Sequence, residues 1–196
     1  MRRARLVALL VIVVGGALAL ISSTQSWLLV TLGDTGDVLE VSGDAAVPLL
    51  APLSLAALAL GLALALVGRP LRYAFGALAL AIGATLAWSA WRIAAEHPLD
   101  AVAAVVTEAT GLAGTAAVSA LVSSISATAW PVLALAAAVL IGAGGVFTLA
   151  TAHRWAGSGR RYRTDAAEAD RVDRSRPHDA IDSWDDLSRG DDPTDR

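Results

Sequence analysis

The chain has 196 residues and a net charge of −3; hydrophobic residues make up 56% of it and charged residues 17%, more apolar than an ordinary soluble domain. It contains no cysteine, which excludes disulfides, thiol nucleophiles, iron–sulfur clusters and cysteine-ligated zinc. All 15 basic residues are arginine, which beside the abundant alanine points to GC-rich coding and not to a phosphate-binding surface.

Arg2, Arg3 and Arg5 precede an apolar run over 6–21. A basic start, an apolar middle and the small polar Ser22-Ser23-Thr24 suit a secretory signal as well as a first membrane helix. Ala17-x-Ala19 lies inside the run and not after it, so a helix over 6–24 is the better reading. The first loop, 25–46, alternates strand composition with turn chemistry. Trp27-Leu28-Leu29-Val30-Thr31-Leu32 and Val38-Leu39-Glu40-Val41 flank Gly33-Asp34-Thr35-Gly36-Asp37, which predicts a short β-hairpin at the membrane surface.

The second apolar segment, 47–67, carries Pro48 and Pro52 near its start, where proline is tolerated. Gly68-Arg69-Pro70-Leu71-Arg72 reads as a tight turn, and a third segment over 73–91 follows at once, so these two segments are expected to pair as an antiparallel helical hairpin. The loop over 92–129 is apolar between 101 and 127, long enough to suggest a fifth span. Glu108 lies inside it, however, and Val102, Val105, Val106, then Val118, Leu121, Val122 and Ile125 recur at helical spacing on one face. It reads as amphipathic helices resting at the interface, broken near 111–114. Trp130-Pro131 opens the last segment, 130–152, with an interfacial aromatic and a helix-starting proline.

The charge bias sets the threading. In a four-span arrangement Arg2, Arg3, Arg5, Arg69, Arg72, Arg154, Arg160, Arg161 and Arg163 share one side. The other side carries Asp34, Asp37, Glu40 and Asp44 in the first loop, and Glu96, Asp100 and Glu108 against Arg92 in the second. Arginine near span ends faces the cytoplasm, which puts both termini inside a multi-pass protein of the cell membrane. A fifth span would place the cluster 154–163 outside.

No Asp, Glu, Lys, Arg or His occupies the central part of any span, where ion-coupled transporters and proton pumps place one. The polar residues there, Ser54, Thr85, Ser89 and Thr148, are each able to bond their own helix backbone. His97, His153 and His178 are far apart and lack ligand spacing. Glu96, Asp100 and Glu108 read as a solvated face sooner than a cation site. Small residues four apart, Ala57/Gly61/Ala65, Ala79/Gly83 and Ala138/Gly142, permit close helix contact within the bundle. Trp27, Trp88, Trp91 and Trp130 fall at outer span ends, as an aromatic belt would; a ligand-stacking cluster of Trp88 and Trp91 is the sharper alternative. No nucleophile–base pair, phosphate loop or metal cluster is legible, so no enzyme activity, cofactor, metal or nucleic-acid partner is expected.

From 164 onward the tail holds eleven acids, five arginines and few large apolar residues, a composition expected to be disordered and cytoplasmic. Within it Ser183 and Asp186 have capping-box-like spacing, and Ile181, Trp184 and Leu187 share a rough apolar face. A lone tryptophan among acids marks 182–194 as a segment that folds on a partner, with Trp184, Asp185, Asp186, Leu187 and Arg189 as candidate contacts.

The closing Ser183-Trp184-Asp185-Asp186-Leu187-Ser188-Arg189-Gly190-Asp191-Asp192-Pro193-Thr194 is similar to the tail signature of actinobacterial membrane proteins associated with tryptophan biosynthesis operons. Gln25-x-Trp27, Val41-Ser42-Gly43 and Trp130-Pro131 resemble that family too. The resemblance implies a context in tryptophan biosynthesis and carries no catalytic residue. The expected fold is an all-α membrane protein: a membrane domain over 1–163 with four transmembrane helices and a small extracytoplasmic β-hairpin, then a disordered tail over 164–196. Besides the lipid bilayer, the expected partner is a cytoplasmic protein docked on the tail, which makes the protein an adaptor. The alternative is a small transporter or exporter subunit for tryptophan or an indole compound.

Overall fold

A computed structural model describes residues 2–33 and 36–154. Helix α1 is Arg2–Ser23, followed by strands β1 (Ser26–Leu32) and β2 (Val38–Ser42), a one-turn helix α2 (Gly43–Ala46) and helix α3 (Leu50–Ala63). The long α4 (Arg69–Glu96) leads to α5 (Leu99–Thr110), α6 (Thr115–Leu121), strand β3 (Val122–Ala127) and α7 (Trp130–Thr151), which closes in a 3₁₀ turn, Ala152–Arg154.

Three helices, α1, α4 and α7, are long and apolar enough to cross a bilayer. The expected second span corresponds to α3, whose 14 helical residues rise roughly 21 Å at about 1.5 Å each, short of the ~30 Å hydrocarbon core. Hydrogen-bonded turns from Leu64 through Val67 lengthen it at its C-terminal end. The third helix is longer than the expected 73–91. It begins at Arg69, with Pro70 in its first turn, so the expected tight turn at 68–72 is already helical. It runs to Glu96 and stops at His97, left-handed at φ 45, just before Pro98, which disfavours a helical residue ahead of it.

The helices alternate in direction. Close approaches pair Gly16 with Leu58 and Gly61 with Val13 between α1 and α3, and Gly15 with Ala137 and Gly144 with Ile12 between α1 and α7. They pair Gly83 with Gly142 and Gly145 with Leu80 between α4 and α7. In each pair one number rises as the other falls, so neighbours are antiparallel. The lateral order is α3, α1, α7, α4. The expected hairpin of the second and third spans is therefore corrected: α3 and α4 are consecutive, yet each packs mainly on another helix. Glycine explains the choice. A Cβ on Gly83 would lie 2.5 Å from the Gly142 nitrogen, so only a missing side chain lets these two backbones meet, as small residues do in lipid.

One end of the bundle carries a cap. β1 is the central strand of an antiparallel sheet ordered β2-β1-β3, with Val30 opposite Leu39 on one side and Ile125 on the other. The β1–β2 hairpin matches expectation. β3 does not: Val122 and Ile125, expected on an amphipathic helix, lie in a strand. Trp27, Leu28, Val30 and Val41 are fully buried beneath the sheet, each contributing about 1.5–3 kcal/mol of burial. The break near 111–114 is present, with Gly111 and Gly114 both at positive φ, and α5 and α6 meet at 79° instead of forming one straight span. Val102, Val106 and Val118 turn inward, as their spacing predicts.

Candidate functional site

At the sheet end, segment 45–49 entering α3 faces the last turns of α4 and the first turns of α5 across a cleft of about 380 Å³. Val47, Pro48 and Leu49 make one wall; Trp88, Arg92 and Asp100 stand on the other. Trp88 and Arg92 are four residues apart and so share a face of α4. The left-handed His97 with Pro98 redirects the chain, and Asp100, on the first turn of α5, returns to Arg92. The Arg92 Nη2 donates to both Asp100 carboxylate oxygens, at 2.9 and 3.1 Å, and its Nε lies 3.7 Å from Glu96 Oε2. The Arg92 and Asp100 side chains remain 41% and 69% exposed, and a pair this wet adds only about 0–1 kcal/mol.

Composition drew attention to Trp88, Trp91 and the acids, but Arg92 entered only as a lone cation, and nothing in the sequence marked segment 45–49 as the facing wall. The sole signal was the His97-Pro98 break, which folds Asp100 back. Trp88 is 67% exposed and Trp91 55%, as belt residues are, and Trp130 is partly buried. Trp27 is not a belt residue, because it is completely buried. Glu108 is exposed, in keeping with a solvated face. Among the described residues no group of histidines or acids is arranged to hold a metal ion.

Beside the cleft, three short motifs that are far apart in sequence meet at one joint. The Trp27 Nε1 donates to the Ser22 carbonyl at 2.9 Å and lies 3.0 Å from its hydroxyl, while that hydroxyl donates to the Trp130 carbonyl at 3.3 Å. The Gly43 N–H donates to the Gln25 carbonyl at 3.0 Å, and a Cβ on Gly43 would fall 2.6 Å from the Trp27 Nε1. Gln25-x-Trp27, Val41-Ser42-Gly43 and Trp130-Pro131 thus tie α1, β1, α2 and α7 together.

The chain matches the family model described as tryptophan-associated transmembrane protein over residues 9–194. It belongs to this family. No curated protein and no solved structure matches it. The matched region takes in the cleft, the joint and the closing motif, so this is a tryptophan-associated transmembrane protein with apolar helices suited to a bilayer. The tail contacts expected from sequence, Trp184, Asp185, Asp186, Leu187 and Arg189, lie outside the described residues, as does the expected disorder of 164–196.

Four hydroxyls within the helices, that of Ser89 at the edge of the cleft included, donate to their own backbones. Ser54 donates to the Leu50 carbonyl at 2.6 Å and Thr148 to the Gly144 carbonyl at 2.7 Å. Thr85 donates to Ala81 and Ser89 to Thr85, both at 3.0 Å. At the far end Arg72 is buried, its Nε donating to the Val67 carbonyl at 3.2 Å.

Proposed function

We propose that this family member is a non-enzymatic membrane adaptor in tryptophan metabolism, with its sheet end outside the cell membrane, both termini in the cytoplasm, and its acidic tail docking a cytoplasmic protein. The observation that carries this reading is the way Ser54, Thr85, Ser89 and Thr148 spend their hydroxyls on their own backbones. A helix whose polar groups are internally satisfied offers little to a polar solute crossing the bilayer, and a bundle joined by glycine seams suits a fixed platform. The described residues end in the 3₁₀ turn Ala152–Arg154, at the end of α7 opposite the sheet.

The tail carries the docking chemistry. Asp185, Asp186, Asp191 and Asp192 surround Trp184 and Leu187, so the partner surface is basic with an apolar pocket, and its affinity falls as salt rises. Photo-crosslinking from position 187 of the full-length protein in cells tests this. One dominant cytoplasmic partner, lost in Trp184→Ala and weakened by salt after extraction, is expected. A crosslinking pattern unchanged by Trp184→Ala contradicts the reading.

A second reading, a small transporter or exporter subunit for tryptophan or an indole compound, is favoured by the cleft beside Trp88. The two separate by mutation. Loss of tryptophan or indole flux in Trp88→Ala, with flux intact in Trp184→Ala, supports transport; loss of the crosslinked partner in Trp184→Ala, with flux unchanged in both, supports the adaptor.

A further inference from the structure

We infer that the cleft at the sheet end binds a zwitterionic aromatic molecule of amino-acid size, with its carboxylate on Arg92, its ammonium on Asp100 and its ring between Trp88 and the wall of Val47, Pro48 and Leu49. This is separate from the tail-docking reading and stands or falls without it.

Three kinds of chemistry converge on one small volume. The cleft holds about 380 Å³, near the bottom of the ~300–1,000 Å³ range of small-ligand sites, which fits a single amino acid better than a nucleotide. Its charges are a cation and an anion side by side, 2.9 Å apart, and a ligand that complements both must itself carry both. An anion alone would face Asp100, and a cation alone would face Arg92.

The pair does not have to break to receive such a ligand. A guanidinium has five N–H donors; here Nη2 is committed to Asp100, and Nε leans toward Glu96. Nη1 makes no bond among the described residues and is available to a carboxylate. Each Asp100 oxygen has a further lone pair for an ammonium. The pair contributes little to stability at this exposure, so its placement against an apolar wall is better explained by recognition. Trp88, one turn before Arg92 and largely exposed, presents its indole on the same face, where an aromatic ring stacks or packs edge-to-face.

The test is equilibrium binding of radiolabelled L-tryptophan to the full-length protein in nanodiscs of phosphatidylcholine and phosphatidylglycerol. The expected result is saturable, single-site binding. Competition on the unaltered protein reads the chemistry directly. Tryptamine, which lacks the carboxylate, and indole-3-propionate, which lacks the ammonium, each compete at least about tenfold more weakly, the loss of one charged hydrogen-bond partner. Arg92→Gln and Asp100→Asn weaken binding by a similar factor, whereas Trp184→Ala leaves it unchanged. Four results overturn the inference: no saturable binding at millimolar ligand, analogues that compete equally with L-tryptophan, binding indifferent to Arg92→Gln, or binding abolished by adding phosphatidylethanolamine, which would assign the site to a lipid headgroup.

Discussion

The bundle and its cap are built on opposite principles. Between the two ends of the bundle, contact is made by missing side chains: Gly83 lies against Gly142, and Gly145 against Leu80. Lipid supplies no hydrophobic force between helices, so closeness of backbones is what holds them. At the sheet end, contact is made by a large side chain and its hydrogen bonds, with Trp27 fully buried and its indole N–H on Ser22. The charged pair Arg92–Asp100 lies at that end, together with its cleft. The two regions therefore respond to different mutations: one fails when volume is added, the other when volume or a donor is removed.

The largest effect is expected in the cap. Trp27→Ala empties the space under the sheet and should cost about 3–5 kcal/mol, read as a lower unfolding temperature of the purified protein. In the bundle, Gly83→Val forces a Cβ to within 2.5 Å of the Gly142 nitrogen and 2.8 Å of the Ala138 carbonyl, and backbone on α7 has nowhere to go. A cost of about 1–3 kcal/mol or more is expected. The neighbouring Gly142→Ala sharpens the point, because its Cβ meets only Leu80 Cδ1 at 3.9 Å. It should change stability by less than about 1 kcal/mol, with helix propensity on its side. Equal damage from both glycine variants would break the account of the α4–α7 seam.

Trp27→Phe comes next. It keeps most of the ring but removes the donor to Ser22, an expected loss of about 1–3 kcal/mol; a variant as stable as the parent would mean that the indole N–H contributes nothing. The smallest effect belongs to the cleft. Arg92→Gln should shift the unfolding temperature hardly at all, since an exposed pair is worth about 0–1 kcal/mol, and a large shift would make Arg92 a structural residue.

The contrast also explains what was legible in the sequence. Charge-free stretches placed the helices, because the demand for apolar residues in a bilayer is local and strict. Gly111 and Gly114 announced the bend between α5 and α6, and Val102 and Val106 the buried face of α5. β3 was missed because Val118, Leu121, Val122 and Ile125 keep helical spacing, while strand β3 owes its existence to β1, a partner nearly a hundred residues away, and strand preference depends on such neighbours. The hairpin of α3 and α4 was wrongly expected because a short connection says less about packing than the glycines facing α7 do. Arg92 was legible only as a charge; its role in the cleft depends on a left-handed His97, where Pro98 marks a break but no local pattern says that the chain turns back toward Arg92. The three motifs meeting at Trp27 looked unrelated for the same reason: their contacts span up to 108 residues.

The proposed orientation, with the sheet end and its cleft outside the cell and the opposite end, where α7 finishes, inside, is open to direct test. Since the chain has no cysteine, single cysteines report position without background. Val38→Cys, on a residue 56% exposed in β2, and Gly68→Cys, on the exposed connection before α4, would be treated in intact cells with a membrane-impermeant maleimide. Position 38 is expected to label in intact cells and position 68 only after lysis. Labelling of position 68 in intact cells with position 38 protected would contradict that orientation.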